Sequence, residues 1–140
     1  MLSARTEYFL DSNVLIYAAA GKLDEPQKYA IAYDLVRYAG FGVSGQSLAE
    51  FSSVALRKRL LPENELAAWL VQLAVLPFVP VDQALVNTGV ALSRRYGISY
   101  YDAALIAAAE RLGAPVFYSE DLNHNQNYGS VRVVNPFLEA

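Results

Sequence analysis

The feature that most constrains the fold of this chain is the alternation of short apolar runs with longer segments of helical periodicity. Apolar runs predict strands at residues 8–10, 41–43, 78–81, 116–118 and 131–134. Apolar spacing, with helix-starting and helix-ending residues, predicts helices at residues 27–38, 47–60, 62–75, 82–96 and 100–112. Strands that alternate with helices are typical of α/β proteins with a mainly parallel sheet, which is the fold class that we predict.

Length and composition favour one compact domain. The 140 residues contain no repeat and no linker, so we predict a single domain over residues 1–140. Charged residues make up 18% of the chain, against roughly 25% in an average protein, which provides material for a large core. The absence of cysteine excludes disulfides, thiolate zinc sites and cysteine nucleophiles. Without a recognisable signal peptide or membrane span, we expect a cytoplasmic protein that does not contact a membrane.

Four acidic residues each follow or face an apolar element instead of lying in a solvated charge run. They are Asp11, Glu50, Asp102 and Asp121. Because sites in such folds form beyond the carboxyl ends of the parallel strands, we expect these acids to converge on one edge of the sheet. Clustered carboxylates repel one another unless a cation lies between them, and their oxygens suit Mg²⁺ or Mn²⁺. The chemistry that this indicates is metal-assisted hydrolysis of a phosphodiester.

Each acid also has a simpler explanation. Glu50 and Asp102 each follow a serine by three positions, the spacing of a capping box. Asp11 could cap a helix that begins at the next residue, and Asp121 could be a turn residue. For a single acid we favour these simpler interpretations; only the conjunction of all four favours a metal site.

The charge balance offers limited support for nucleic-acid binding. The formal net charge is −3, whereas proteins that bind nucleic acid by neutralising phosphates are usually basic. Arg57, Lys58 and Arg59 form a local basic cluster that could contact a phosphate backbone. The alternative is a solvated helix end, where cations interact favourably with the helix dipole.

Four stretches together resemble the PIN-domain ribonucleases of the VapC toxin type. They are "FLDSNVLIYA", "SGQSLAEF", "YYDAALIAAA" and "YSEDLNHNQNYGSVRVVNPF". The resemblance covers nearly the whole chain in the family's order. It implies a PIN-like three-layer α/β/α fold and cleavage of RNA with Mg²⁺ or Mn²⁺. It further implies a homodimer and a cognate VapB-type antitoxin.

The resemblance also assigns roles to individual residues. The acids that match the family's metal ligands are Asp11, Glu50, Asp102 and Asp121. Asn13 and Ser119 match polar positions near the metal, and Glu120 is a possible auxiliary acid. The resemblance extends the interpretation of Arg57, Lys58 and Arg59 to contacts with the RNA backbone. The chain departs from many relatives at Asn125, where they have glycine; we expect the loop to survive because Asn tolerates left-handed backbone.

Two other hypotheses stay open at this point. One is phosphoryl transfer through an aspartyl phosphate on Asp11. Against it, no second acid lies two residues further on, and no lysine ends a strand. The other is a non-catalytic PIN-like module that binds RNA or a partner, in which the acids only cap helices.

Overall fold

The structure is a computed structural model that describes residues 6–38 and 40–138. In these residues, the strands are β1 (Tyr8–Leu10), β2 (Phe41–Ser44), β3 (Phe78–Val79), β4 (Val116–Tyr118), β5 (Asn127–Tyr128) and β6 (Val131–Val134). The helices in the same part of the chain are α1 (Ser12–Ala20), α2 (Pro26–Val36), α3 (Gly45–Arg57), α4 (Glu63–Leu73), α5 (Gln83–Tyr96) and α6 (Tyr100–Arg111). Both ends of the domain predicted over residues 1–140 lie outside the described residues.

The strands form one sheet in the order β3-β2-β1-β4-β6-β5. The pairs that β1, β2, β3, β4 and β6 form with one another are all parallel, and among the described strands only β5 runs antiparallel to its neighbour, β6. Tyr8 in the central strand β1 pairs with Phe41 of β2 on one side and with Val116 of β4 on the other. The predicted α/β fold with a mainly parallel sheet is therefore confirmed.

Helices cover both faces of the sheet. Successive strand residues point to opposite faces, and Phe9 and Leu10 accordingly belong to two different cores. Phe9 packs with residues of α5 and α6, whereas Leu10 packs with residues of α1, α2, α3 and α4. The three-layer α/β/α arrangement is therefore confirmed. None of the described helices has the length and apolar character needed to span a membrane.

The layer made by α5 and α6 is packed closely. Every side chain from Ala103 to Ala109 of α6 is buried. Gly89 of α5 lies against this helix, and a Cβ atom added there would come within 3.3 Å of the Ala104 Cα. Asp82 caps α5, because its Oδ1 accepts a hydrogen bond of 2.8 Å from the Leu85 amide. This close packing fixes the start of α6, from which Asp102 projects.

The hairpin of β5 and β6 was not predicted. Its first strand has only two residues and runs antiparallel to β6 around Gly129, which has a positive φ of 62°. Asn125, just before the hairpin, has a φ of 65°. The expectation that Asn at this position permits a left-handed backbone is therefore confirmed.

Candidate active site

Asp11 lies at the carboxyl end of the central strand. Its backbone amide donates to the Tyr118 carbonyl oxygen at 3.1 Å, so the ladder between β1 and β4 continues through this residue. Helix α1 begins at Ser12, yet the Asp11 carboxylate makes no capping hydrogen bond. It accepts hydrogen bonds from the hydroxyls of Ser119, at 2.8 Å, and Ser12, at 3.3 Å. Asp11 thus occupies the N-cap position of α1 as the simpler interpretation expected, but its carboxylate does not cap the helix.

Glu50 does not belong to a capping box either. Helix α3 begins at Gly45, two residues earlier than predicted, and its capping box consists of Ser44 and Ser47. The Ser44 hydroxyl accepts from the Ser47 amide at 3.2 Å, and the Ser47 hydroxyl accepts from the Ser44 amide at 2.8 Å. The predicted capping box of Ser47 and Glu50 is wrong because Ser47 is already inside the helix. The Glu50 Oε1 accepts a hydrogen bond of 3.0 Å from Gln46.

Asp102 and Asp121 approach from two further elements. Ser99 caps α6 through the Asp102 amide at 3.2 Å, and its hydroxyl donates to the Asp102 Oδ2 at 3.0 Å. The amide of Asp121, in the loop after β4, donates to the Ser119 hydroxyl at 3.1 Å. Its Oδ2 accepts a hydrogen bond of 3.3 Å from the Asn13 side chain. The backbone amide of Asp102 therefore completes the cap, and among the described residues the side chains that donate to the two carboxylates are neutral.

The structure brings all four acids together around one cavity of about 490 Å³, which we call the acidic cavity. The acids are Asp11, Glu50, Asp102 and Asp121. Asn13 and Arg57 also line this cavity. Each carboxylate is hydrogen-bonded to a neutral side chain, and none of the four forms a salt bridge within residues 6–38 and 40–138. The acidic cavity thus holds oriented carboxylates that form no salt bridge in the described part of the chain, although Arg57 lies in its lining.

The electrostatics of the acidic cavity favour a cation. Burial raises the pKa of Asp11 to about 7; the hydrogen bond from Ser119 opposes this rise, and the charges of Asp121 and Glu50 add to it. Burial also raises the pKa values of Glu50 and Asp102, although the hydrogen bonds from Gln46 and Ser99 oppose these rises. Repulsion from neighbouring carboxylates adds to both. A divalent cation bound between the carboxylates would relieve this repulsion.

The donor set fits a hard cation, although the site is not a closed cage. All four acids offer carboxylate oxygens, which Mg²⁺ and Mn²⁺ prefer. Among the described residues, no three His, Asp or Glu side chains already form a group that could hold a metal ion. Glu50 and Asp102 are only partly buried, and Asp121 is exposed. Cation binding would therefore draw these side chains together by rotation around a fixed Asp11.

The other predicted residues have different placements. Arg57 lines the acidic cavity, and Lys58 lines an adjoining cavity of about 380 Å³ that also includes Asn13 and Arg57. Arg59 follows the end of α3 with a φ of 50° and is exposed. Glu120 is not among the residues that line the acidic cavity; its carboxylate lies 3.0 Å from the Lys28 ammonium.

Sequence reasoning missed two residues of the site. Gln46 donates to both the Glu50 carboxylate, at 3.0 Å, and the Tyr101 carbonyl oxygen, at 2.9 Å, so it connects α3 to the start of α6. Its position one helical turn before Glu50 was the available signal. Tyr101 lines the acidic cavity with 68% of its surface exposed.

Comparisons with known proteins agree with this fold. The family model of the PIN domain matches residues 8–129. No curated protein matches the chain in sequence. A toxin–antitoxin complex from Klebsiella pneumoniae is similar in structure, with a TM-score of 0.70 at 17% identity over 93% of this chain and 98% of that chain.

Two further solved structures are similar to the chain. VapC20 of Mycobacterium tuberculosis, described as a toxin that cleaves the sarcin–ricin loop, has a TM-score of 0.67 at 18% identity, over 90% of this chain and 99% of that chain. VapBC2 of Rickettsia felis, bound to a DNA fragment from its promoter, has a TM-score of 0.62 at 17% identity, over 90% of this chain and 96% of that chain. At these identities the likeness shows a shared fold.

Proposed function

Since this chain belongs to the PIN domain family, we propose that it is a metal-dependent endoribonuclease and the toxin of a VapBC-type toxin–antitoxin pair. The observation that carries the proposal is the meeting of four carboxylates from four separate elements in the acidic cavity. Such carboxylates, without a salt-bridge partner in the described residues, are costly for a fold unless a cation balances them.

We propose the following roles for the four carboxylates. Asp11, Asp102 and Asp121 would hold Mg²⁺ or Mn²⁺, and Glu50 would ligate the ion or orient the attacking water. A bound divalent ion activates water and offsets the charge that develops on a phosphodiester. Ser119 orients Asp11 through its 2.8 Å hydrogen bond, and Asn13 orients Asp121 at 3.3 Å.

RNA is the proposed substrate, bound through its phosphates. Arg57 lines the acidic cavity and Lys58 lines the adjoining one, so both can approach a strand that crosses the two. Arg59 is exposed beside them. The target named for the Mycobacterium tuberculosis toxin, the sarcin–ricin loop, supports RNA as the substrate class.

The proposed partners are a VapB-type antitoxin and a second copy of this chain, with which it would form a homodimer. Toxin–antitoxin complexes among the structural neighbours support the antitoxin. Exposed apolar side chains, among them Val71 and Val75 on and after α4, with 70% and 84% of their surface exposed, support a covered surface. We further propose that this activity is cytoplasmic, because an RNA substrate and an antitoxin partner would be met there.

Cleavage of total cellular RNA by purified protein tests the proposal. The protein would be stripped of antitoxin and assayed with Mn²⁺ or Mg²⁺, and again with excess chelator. Asp11→Asn should abolish discrete fragments, because it removes the buried ligand while keeping the side-chain shape. Asp34→Asn is the matched control, since Asp34 is an acid paired with Arg37 away from the acidic cavity. Equal cleavage by wild type and Asp11→Asn would refute the assignment.

One observation favours a second candidate, the non-catalytic binding module. The carboxylates of the described residues do not form a ready-made metal cage. A module of this kind should bind RNA or a partner without cleavage, and Mn²⁺ should not change its thermal stability. A rise in the unfolding temperature with Mn²⁺ would exclude it, because a ligand of the native state stabilises by mass action.

A further inference from the structure

A second polar cluster lies on the other side of the loop that carries Asp121. The Tyr17 hydroxyl donates to the Glu120 Oε1 at 2.6 Å, and the Lys28 ammonium donates to the Glu120 Oε2 at 3.0 Å and to the Tyr17 hydroxyl at 3.3 Å. The ammonium also lies 5.0 Å from the centre of the Tyr17 ring and 5.7 Å from that of Phe137. We call these four residues the lysine clamp. The clamp ties α1, α2 and the C-terminal "NPF" segment to the loop after β4.

Besides the lysine clamp, the loop is attached by Leu122, which packs against the core beside α5 and α6, and by His124, whose Nδ1 accepts a hydrogen bond of 3.0 Å from the Asn135 amide. Its backbone hydrogen bonds to the sheet lie at its two ends. The Ser119 amide donates to the Val134 carbonyl oxygen at 3.0 Å, and the next backbone hydrogen bond to the sheet is from Asn125 to Val133, at 2.8 Å. Between them, residues 120–124 make no backbone hydrogen bond to the sheet within the described part of the chain. The position of this segment therefore depends on side-chain contacts.

Successive side chains of the loop point in different directions. Ser119 is directed at Asp11, Glu120 at the lysine clamp, and Asp121 at the acidic cavity. Glu120 is thus held by Tyr17 and Lys28 on one side of the loop, while its two neighbours point to the opposite side, towards Asp11 and the acidic cavity. We propose that Lys28, Tyr17 and Glu120 are positioning residues that hold residues 119–121 so that Ser119 contacts Asp11 and Asp121 faces the acidic cavity.

The contacts of the clamp suit this role. The side chains of Lys28 and Glu120 are only 28% and 19% exposed, so water screens the pair less than it screens a surface salt bridge. Hydrogen bonds to Glu120 and Tyr17 raise the pKa of Lys28, which keeps the ammonium charged. Phe137 is buried and packs edge-on against the Tyr17 ring at 5.1 Å. The clamp therefore rests on a rigid aromatic support.

The test has one readout that is independent of any metal and one that rests on the proposed function. Lys28→Met removes the ammonium and keeps the aliphatic stem, and Tyr17→Phe removes only a hydroxyl. In metal-free protein, both variants should accelerate hydrogen exchange at residues 119–121 and leave exchange in α5 and α6 unchanged. Calorimetric titration with Mn²⁺ should show roughly tenfold weaker binding in Lys28→Met. A loss of this size is expected when a residue that orients a metal ligand is removed.

Two further variants distinguish positioning from plain structural support. Lys28→Arg keeps the charge and should restore most of the Mn²⁺ affinity. Arg37→Met is the matched control. Arg37 directly follows α2, the helix that carries Lys28, and it pairs with Asp34 at the same distance of 3.0 Å. This control should change neither the Mn²⁺ affinity nor the exchange of residues 119–121.

The outcomes separate this inference from the proposed function. Local acceleration of exchange with an unfolding temperature close to that of Arg37→Met supports the clamp, even if wild type binds no Mn²⁺ and cleaves no RNA. Unchanged exchange and unchanged Mn²⁺ affinity in Lys28→Met would overturn it. Faster exchange throughout the chain would overturn it as well, because the cluster would then be a general stabiliser.

Discussion

The Asp11→Asn variant should be more stable than wild type in the absence of metal at alkaline pH. This gain in unfolding free energy should disappear in acid. The side chain is buried with 3% of its surface exposed, and burial is the main cause of its raised pKa. Asparagine has the same shape, carries no charge, and can still accept the hydrogen bond from Ser119. The substitution therefore removes the cost of burying a charge and leaves most of the packing in place.

The magnitude follows from the pKa. Raising it from 3.8 to about 7 makes ionisation of Asp11 about 4 kcal/mol more costly in the folded protein than in the unfolded chain. The folded state binds the proton more tightly, so the stabilisation is complete below pH 3.8 and is lost as the pH rises through about 7. Between pH 5 and pH 8, wild type should lose roughly 2 to 3 kcal/mol of unfolding free energy from this group.

Urea unfolding of chelator-treated protein at several pH values measures the effect. The quantity of interest is the unfolding free energy of Asp11→Asn minus that of wild type. This difference should rise by roughly 2 to 3 kcal/mol from pH 5 to pH 8. A difference that stays constant across this range would refute the reasoning, because Asp11 would then titrate as an ordinary surface acid.

The remaining predictions concern the cation, the RNA and the helix packing. Mn²⁺ at a hundred times its dissociation constant should stabilise wild type by about 2.7 kcal/mol, and thermal unfolding of Asp11→Asn should show a much smaller rise. For a short RNA, a plot of the logarithm of the binding constant against the logarithm of the salt concentration should become less steep by about one in Arg57→Ala. If fluorescence anisotropy shows an unchanged slope, Arg57 does not contact the RNA. Gly89→Ala should destabilise the protein by about 1 to 3 kcal/mol in urea unfolding, because the added methyl meets the Ala104 backbone at 3.3 Å. A loss below about 0.5 kcal/mol would show that α5 and α6 separate without strain.

The fold was predictable where a local signal and the tertiary packing agree. Runs such as Val116–Tyr118 became strands because they are apolar and are bounded by turn residues. The start of α3 was not predictable in the same way, because Ser44 and Ser47 are both good capping residues. The choice between them depends on where β2 ends. Strand β5 has only two residues, which is too short for a strand to be predicted from residue propensity. It forms because β6 lies beside it and pairs with it.

The acids of the site were predictable as a group, because strand ends and helix starts carry them to one edge. Their hydrogen-bond partners were not. The contact between Lys28 and Glu120 joins residues 92 positions apart, and it depends on how α2 packs beside α1. Gln46 was overlooked because its second contact, with the Tyr101 carbonyl oxygen, exists only after α3 and α6 have met.

The order of the strands also governs when the site can exist during synthesis. Of the described strands, β1 is made first and lies at the centre of the sheet, and one of its two neighbours, β4, is made more than a hundred residues later. Until then one edge of β1 has no partner, and an unpaired apolar edge invites association with other chains. Asp121 follows β4, so the last of the four acids is added to the chain only after β1, β2, β3 and β4 have been made. A nascent chain that has not yet reached Asp121 therefore lacks the complete set of acids, and any activity of the acidic cavity requires that residues 11 to 121 have all been made.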